Sequence, residues 1–362
     1  MNSHALKSTS SAARRVMLAV LALVALGGCT TLDYYGQLAR GQLQLLQARE
    51  PVGRLLADPG RDPGLRRRLG LAQQARDFAS ARLRLPDNRS YRLYADLKRP
   101  YVIWNLFATA EFSLAPQTQC FPIAGCVAYR GFYQPGRARG AAALLAAQGL
   151  DTYIGGVEAY STLGWFADPI LDTMLRWDDE RLAAVIFHEL AHQQLYIADD
   201  TAFNESFATF VEREGLGQWL ESRGLPPSDP TALRQREQFV ALVLASRARL
   251  DRLYRSGRPE PELRRGKAAE FERLRGEYRR LRQEQWQGTG RYDGWIEGPL
   301  NNAKLLPFGL YDQWEPAFAA LFAQQQRDWP RFYARVRELG ELPRAERDRH
   351  LQTLLGAQGA LP

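Results

Sequence analysis

Residues 188–192 read His188-Glu189-Leu190-Ala191-His192 and contain two of the four histidines in this 362-residue chain. On a helix, side chains four residues apart lie on one face, so both imidazoles can bind a single zinc ion. The glutamate beside the first histidine then reaches a water at the same metal. Chance would produce this pattern in on the order of one in a hundred such chains, or fewer. The stretch predicts a helix carrying part of a zinc site and favours a hydrolase.

A catalytic zinc site needs a third protein ligand besides the two histidines. Glu205 follows His192 by thirteen residues, in the pair Asn204-Glu205. We expect it near the start of a second helix, predicted over 204–215, that packs antiparallel to the first. One tight turn between the helices would bring the Glu205 carboxylate level with both imidazoles.

The neighbouring carboxylates have predicted roles beside the metal. Glu212 lies two turns beyond Glu205 on the same face, where it would hydrogen-bond a ligand histidine and fix its tautomer. Asp200 or Thr201 is predicted to cap the second helix, and Asp199 and Asp200 are the alternative metal ligands. The alternative for Glu205 is a carboxylate that only stabilises the helix N-terminus.

Glu189 is predicted to be the general base of the site. It would accept a proton from the attacking water and later give that proton to the leaving amine. Zinc contributes by lowering the pKa of water to roughly 7 and by polarising the scissile carbonyl.

The N-terminus carries the pattern of a secretory signal peptide, predicted over 1–28. Lys7, Arg14 and Arg15 precede an apolar run over 16–26 that is too short to anchor the chain across a bilayer. Hydrophobic residues make up 45% of the 362-residue chain, which is enough to bury a full core of one large or two modest domains.

The apolar run ends in Leu26-Gly27-Gly28-Cys29, which resembles a bacterial lipobox. The resemblance implies that Cys29 becomes the lipidated first residue and anchors the protein to a membrane. Thr30, rather than an aspartate, follows it, which by resemblance to sorted lipoproteins favours the periplasmic side of the outer membrane. Arg14-Arg15 lacks the rest of a twin-arginine signal, so ordinary export is expected.

The other two cysteines, Cys120 and Cys126, bracket a turn-rich segment. In an exported protein we expect them to form a disulfide, and the alternative is two small buried apolar residues.

The chain is basic, with a net charge of +8 and a pI near 9.5. Its arginines are spread out and lie mostly on helical patterns after residue 230. This distribution predicts a solvated basic surface near anionic lipid or cell wall, and it gives nucleic acid no role.

The hydrophobic pattern predicts an α+β protein that is mainly helical, with a small sheet before the helix of His188. After the signal peptide we expect an N-terminal helical region (29–90), a metallopeptidase core (91–220) and a C-terminal helical region that completes the site (221–362).

Within the core, β-branched and aromatic runs predict three strands of that sheet: 101–107, 127–133 and 152–160. An alanine-rich helix over 139–148 should end at Gly149. Further on, apolar and arginine residues alternate at helical spacing over 231–286 and predict a helical hairpin broken at 257–261, followed by a helix beginning near Pro316.

His188 to His192, followed by Asn204-Glu205 and Glu212, resembles the gluzincin clan of zinc peptidases. In its aminopeptidase N-like branch the third ligand lies in an Asn-Glu pair, and a further glutamate follows seven residues later. The resemblance implies a gluzincin-like fold. The spacer from His192 to Glu205 is shorter than in that branch or in thermolysin, which leaves the geometry of the connection open.

Gly155-Gly156-Val157-Glu158-Ala159 resembles the Gly-x-Met-Glu-Asn strand of the same branch, although valine and alanine replace methionine and asparagine. There the glutamate binds the free amino group of the substrate, which implies this role for Glu158. A strand beside the metal can also pair with an extended peptide. The alternative is a strand-end glutamate paired with an arginine.

The branch also uses a tyrosine to stabilise the oxyanion. Tyr311 is the first candidate, followed by Tyr160 and Tyr292, and the alternative for each is ordinary packing. Asn301 and Asn302 could contact the substrate backbone or cap a helix.

Nearly the full chain resembles the predicted bacterial aminopeptidase lipoprotein family. The shared features are the lipobox, Tyr34-Tyr35, the segment between the two later cysteines, the zinc motif and Leu300-Asn-Asn-Ala303. The resemblance implies a zinc-dependent aminopeptidase, lipid-anchored in the cell envelope, that acts on peptides.

Two other functions fit the same residues. A zinc endopeptidase or cell-wall peptidase would use the metal site without the Glu158 anchor. A non-catalytic envelope scaffold would use the arginine-rich hairpin as its binding surface, although a structural zinc site is closed by four ligands and needs no base such as Glu189. Side-chain preference, physiological substrate and oligomeric state are left open by the sequence.

Overall fold

The protein is described here by a computed structural model that covers residues 33–121, 125–159, 161–308 and 314–358. The chain folds as two compact units, Met1–Ala48 and Arg49–Pro362. In the first unit the described part is a single helix, α1, over 33–47. No helix in the described residues combines the length and apolarity needed to cross a bilayer. The predicted signal peptide and Cys29 lie outside the described residues.

The second unit is mostly helical, with three small sheets in its described part. It opens with strand β1 (Arg49–Pro51) and helices α2 (Val52–Ala57) and α3 (Pro63–Ala81). Helix α3 begins where the Asp62 carboxylate accepts the N–H of Leu65. The described part of the region over 29–90 thus contains helices α1 to α3, whereas β1 was not predicted.

The central sheet has the strand order β6-β3-β7. Its middle strand, β3 (Ile103–Ala110), pairs antiparallel with both β6 (Arg130–Phe132) and β7 (Leu150–Val157). Helix α4 (Pro135–Ala147) connects the outer strands and is followed, after Gln148, by Gly149, whose φ of +81° suits a glycine.

Two smaller sheets complete the β-structure of the described chain. Strand β2 (Leu93–Ala95) pairs antiparallel with β1 and parallel with β8 (Ile170–Leu171). Strands β4 (Gln119–Phe121) and β5 (Gly125–Val127) form an antiparallel hairpin.

The single strand predicted over 127–133 is wrong. The segment divides because Cys126 pairs with Cys120 in the β4-β5 hairpin, whereas Phe132 pairs with Trp104 in the central sheet. The two pieces therefore serve different sheets. A run of apolar residues cannot reveal such a division, because the pairing partners are distant in sequence.

Helices α5 (Asp179–Gln194) and α6 (Thr201–Ser222) form the centre of the second unit. Helix α5 is capped by Asp178, whose carboxylate accepts the N–H of Arg181 at 2.7 Å. Both helices bury apolar side chains at helical spacing: Leu182, Ile186, Phe187 and Leu190 from α5, and Phe203, Phe207, Phe210 and Val211 from α6.

The C-terminal region is helical, as predicted. Helices α7 (Pro230–Tyr254) and α8 (Glu260–Gln285) form the expected hairpin, with Gly257 at a φ of +70° between them. The remaining helices are α9 (Asp293–Glu297), α10 (Asn302–Leu305), α11 (Glu315–Gln324), α12 (Trp329–Glu341) and α13 (Arg344–Gln358). Rings of Phe318 and Phe332, from α11 and α12, pack on Phe207 of α6.

Gly215 lets α6 approach its neighbours closely. A Cβ at this position would lie 2.6 Å from Leu83 Cδ1 and 3.2 Å from a ring carbon of Phe187, and both side chains are fully buried. We expect Gly215→Ala to lower the free energy of unfolding by about 1–3 kcal/mol because the packed core cannot yield. Chemical denaturation measures this change.

Gly217 is the matched control on the same helix, since a Cβ there meets nothing within 4 Å. Gly217→Ala should raise stability by up to about 1 kcal/mol, because alanine favours the helix. Equal effects of the two substitutions would contradict a close approach at Gly215.

Candidate metal centre

The side chains of His188, His192 and Glu205 converge, with one ligand atom from each lying within 4.8 Å of the others. The two Nε2 atoms are 3.2 Å apart. The Glu205 carboxylate lies 3.5 Å from Nε2 of His188 and 3.7 Å from Nε2 of His192. The structure thus brings together the two histidines of α5 and the glutamate of α6 that the sequence singled out.

The donor set fits a zinc ion. Ligand atoms about 2.0–2.1 Å from zinc at tetrahedral angles lie about 3.3 Å apart, close to the three separations in this cluster. Two imidazoles and one carboxylate leave a fourth position open, as in catalytic rather than structural sites.

The connection between α5 and α6 is short but firmly held. The Asn204 side chain donates to the Ile197 carbonyl at 2.7 Å and accepts the Ile197 N–H at 2.8 Å. Because Asn204 is fully buried and precedes Glu205, this clamp ties the first turn of α6 to the connection. The sequence drew attention to Asn204 only as the neighbour of Glu205.

Both alternative ligands are engaged elsewhere. Asp200 caps α6 by accepting the N–H of Phe203 at 3.1 Å, and its other oxygen forms a buried ion pair with Arg347 of α13 at 2.6 Å. The Asp199 carboxylate accepts the backbone N–H of Cys126 at 2.8 Å. Neither belongs to the cluster of ligand atoms.

Glu212 bonds to His188 from the side opposite the cluster. Its carboxylate lies 2.9 Å from Nδ1 of His188, which orients that ring and leaves Nε2 directed at Glu205 and His192. A carboxylate behind a ligand histidine fixes the tautomer that binds metal. Nδ1 of His192, in contrast, is buried and has no hydrogen-bond partner among the described residues.

The pKa values of the two histidines are shifted in opposite directions. Burial opposes the charged form of His188, yet its bonds to Glu205 and Glu212 raise its pKa well above the usual value. Burial lowers the pKa of His192 to about 4, so this ring is neutral and suited to a metal. A cation is therefore favoured where the Nε2 atoms and Glu205 meet.

Glu189 lies beside this cluster and is almost fully buried, with 9% of its surface exposed. Burial raises its pKa to about 7, assisted by the charges of Glu205, Asp168 and Glu212 and opposed by His188. A carboxyl group with a pKa near neutrality suits both halves of a proton transfer, because it accepts and releases the proton readily.

Glu158 follows strand β7 and contacts the residues at the start of α5. Its Oε2 accepts hydrogen bonds from Trp177 Nε1 at 2.8 Å and from Arg181 at 3.1 Å. The structure thus gives Glu158 an arginine partner, and no partner for its Oε1 lies in the described chain. Arg181 precedes His188 by two helical turns, about 10 Å along the helix.

The side chains of Asn301 and Asn302 form hydrogen bonds within the fold. Asn301 caps α10 by accepting the N–H of Lys304 at 3.0 Å and also donates to the carbonyl of Thr152 in β7 at 2.9 Å. Asn302 donates through its side chain to the carbonyl of Glu111 at 2.8 Å. Of the two interpretations, helix capping describes Asn301.

Of the three tyrosine candidates, the described residues include Tyr292 alone. Tyr311 and Tyr160 lie outside the described residues, and Tyr292 stacks on Phe239 of α7 with ring centroids 3.9 Å apart. Tyr196, in the connection between α5 and α6, escaped the sequence reasoning. Its pKa is raised by burial and by the nearby charges of Glu205 and Asp199, which keeps its hydroxyl protonated. Its place between two ligand-bearing helices was the available signal.

Cys120 and Cys126 are joined by a disulfide across the β4-β5 hairpin. Because the Cys126 N–H bonds to Asp199, this hairpin contacts the connection between the two ligand-bearing helices.

Comparison with known proteins identifies the family. A family model described as "Putative aminopeptidase" matches residues 33–351, most of the chain, so the protein belongs to this family. No curated protein matches the chain. No solved structure matches it either.

The Asn204 clamp should support the fold as well as the site. Asn204→Ala removes both bonds to Ile197, which leaves its partly buried N–H without this acceptor and its carbonyl with only the N–H of Asp200 at 3.4 Å, and we expect the free energy of unfolding to fall by about 1–3 kcal/mol. Glu221→Ala, an exposed position on the same helix, should change it little. Denaturant titration of both variants measures the difference, and equal stabilities would show that the clamp is dispensable.

Proposed function

We propose that this member of the putative aminopeptidase family is a zinc-dependent aminopeptidase that removes N-terminal residues from peptides. The observation that carries the proposal is the convergence of His188, His192 and Glu205 beside the buried carboxyl of Glu189. We further propose a gluzincin-like arrangement, because the two histidines lie on one helix and the glutamate on the next.

His188, His192 and Glu205 would hold the ion. Zinc supplies Lewis acidity, which polarises the scissile carbonyl and favours ionisation of water. Glu189 accepts the proton of the attacking water and passes it to the leaving amine, for which its pKa of about 7 is suited. Glu212 holds His188 in the tautomer that presents Nε2 to the metal.

Strand β7 offers an edge to an extended peptide. The Val157 carbonyl accepts the N–H of Val102 beside β3, so alternate residues of β7 direct their backbone groups away from that strand. Asn301 and Thr173 bind two of these outward carbonyls, those of Thr152 and Glu158.

Between those two bonds, the outward N–H and C=O groups of Ile154 and Gly156 have no partner in the described chain. Unpaired strand edges of this kind bind peptide backbones by strand addition. Gly156 also lies against the ring of Tyr101, where a Cβ would come within 2.4 Å, so larger residues are excluded there.

Glu158 is proposed to bind the substrate's free amino group. It stands at the end of the β7 edge and keeps one carboxylate oxygen without a described partner. A charge-assisted bond from an ammonium to this oxygen would select substrates by their amino terminus.

The second candidate is a zinc endopeptidase or cell-wall peptidase with the same metal site. It is favoured by the ion pair of Glu158 with Arg181, because an arginine already neutralises the carboxylate that an ammonium would need. In both cases we propose a lipid on Cys29 as the anchor in the cell envelope, on the periplasmic side of the outer membrane, supported by the lipobox-like sequence.

The metal site is tested by separating binding from turnover. Glu205→Ala removes a ligand and should weaken zinc binding by roughly a hundredfold or more, with loss of peptide hydrolysis. Glu189→Gln keeps all three ligands, so it should bind zinc as the wild type does and yet lose turnover. Competition with a chelating dye gives the zinc affinity.

Glu221→Ala is the matched control, an exposed glutamate on the helix that carries Glu205, and it should preserve both properties. Hydrolysis that survives in Glu189→Gln would rule out the assigned base. Less than about one zinc per wild-type chain would instead favour the scaffold alternative.

The amino-terminal specificity is tested with matched peptides. An aminopeptidase should lose nearly all activity when the substrate's amino group is acetylated, because acetylation removes the charge that Glu158 binds. Glu158→Gln should raise KM for free peptides and leave the little activity on acetylated peptides unchanged. Equal cleavage of free and acetylated peptides would establish the endopeptidase instead. Liquid chromatography of the products measures both rates.

A further inference from the structure

Two consecutive aromatic side chains project into solvent from the loop over 161–168, between β7 and β8. Trp165 is 68% exposed and Phe166 is 45% exposed. No other tryptophan is exposed, although the chain contains eight, all of them in the described residues. Large apolar groups left in water are costly to the isolated protein, and neighbouring pairs of them mark contact surfaces.

Hydrogen bonds centred on the buried Asp168 hold the loop that carries this pair. Asp168, 3% exposed, accepts bonds from the N–H of Thr162 at 2.9 Å and from its hydroxyl at 2.7 Å. The Thr162 hydroxyl in turn accepts the N–H of Phe166 at 3.1 Å. Gln193 of α5 donates to Asp168 at 3.2 Å. The aromatic rings are therefore presented on a braced loop.

The neighbouring segment over 82–91 adds positive charge. It touches the base of the loop where the Tyr91 N–H bonds to the Asp168 carbonyl at 2.6 Å and where Asn88 donates to Gln193 at 2.8 Å. Three arginines of this segment are exposed and form no ion pair in the described chain: Arg82, Arg84 and Arg89. Its acidic residue, Asp87, faces Arg76 and Arg92 instead.

We propose that this aromatic and basic patch, formed by Trp165, Phe166, Arg82, Arg84 and Arg89, binds the surface of an anionic lipid bilayer. Tryptophan and phenylalanine partition into the interfacial region of a bilayer, and arginines bind the phosphates of anionic lipids. The net charge of +8 adds long-range attraction to such a surface.

The contact is distinct from the proposed lipid on Cys29. The patch is formed by residues over 82–89 and 165–166, whereas the proposed lipid would be attached to Cys29. The proposed contact with a bilayer requires neither lipidation nor peptidase activity, so its test does not depend on the proposed function.

Trp165 itself reports on the contact in the full-length protein. No tryptophan precedes Trp104, so insertion of the N-terminal segment gives no signal. Vesicles of phosphatidylcholine and phosphatidylglycerol that contain brominated chains should quench part of the tryptophan emission. Trp165→Phe keeps an aromatic ring and should abolish most of that quenching, whereas Trp295→Phe, at a half-buried position, should preserve it.

Charge is tested separately. The double variant Arg84→Gln with Arg89→Gln should reduce quenching several-fold, and so should raising the salt to about 0.5 M, which shortens the range of the attraction. Arg258→Gln, an exposed arginine between α7 and α8, is the control that should leave quenching unchanged.

Three outcomes would overturn the proposal. Quenching that persists in Trp165→Phe would show that another part of the protein contacts the bilayer. If brominated vesicles of phosphatidylcholine alone quench the emission as strongly as vesicles with phosphatidylglycerol do, the arginines do not contribute to binding through lipid charge. Emission of Trp165 that responds to unblocked peptides but not to vesicles would make the loop a substrate contact.

Discussion

The metal centre depends on the six residues over 195–200 that connect α5 to α6. Its ligand atoms converge only if Glu205 lies level with the histidines, and such sites tolerate displacements of about 0.5 Å. Three interactions fix the connection: the Asn204 clamp on Ile197, the cap formed by Asp200, and the buried pair of Asp200 with Arg347. The last reaches helix α13, so the C-terminal helix also contributes to the position of the Glu205 carboxylate.

The cluster also brings together negative charges, those of Glu205 and Glu212, that the surrounding protein balances only in part. Burial disfavours the charged form of each of these two carboxylates and of the two imidazoles. The carboxylates nevertheless stabilise a positive charge beside them, and this stabilisation raises the pKa of His188. A bound divalent cation would balance both negative charges, whereas a single proton on His188 balances only one of them. Metal binding and stability of this region are therefore expected to be coupled. Glu212 takes part through His188, since it holds the ring whose other nitrogen faces His192 and Glu205.

Local patterns predicted much of this arrangement, because helices arise from neighbours in sequence. The spacing of His188 and His192 placed both imidazoles on one face, and the apolar periodicity gave α6, α7 and α8. What the sequence could not give depends on distant partners. Strand β1 exists because it pairs with β2, and the segment over 127–133 divides between two sheets. The pairing of Asp200 with Arg347 spans 147 residues and has no local signal.

Helix α5 is the element shared by the metal centre and the aromatic and basic patch. His192 belongs to the first and the adjacent Gln193 braces the loop of the second. Consecutive residues of a helix project about 100° apart, so the two sites lie on different faces of one turn. If a bilayer binds the patch, it therefore contacts a loop held by Gln193 and not the face of α5 that carries His192. Because His192 and Gln193 are adjacent on one helix, a substitution that displaces the end of α5 is expected to disturb both the candidate metal centre and the loop of the patch.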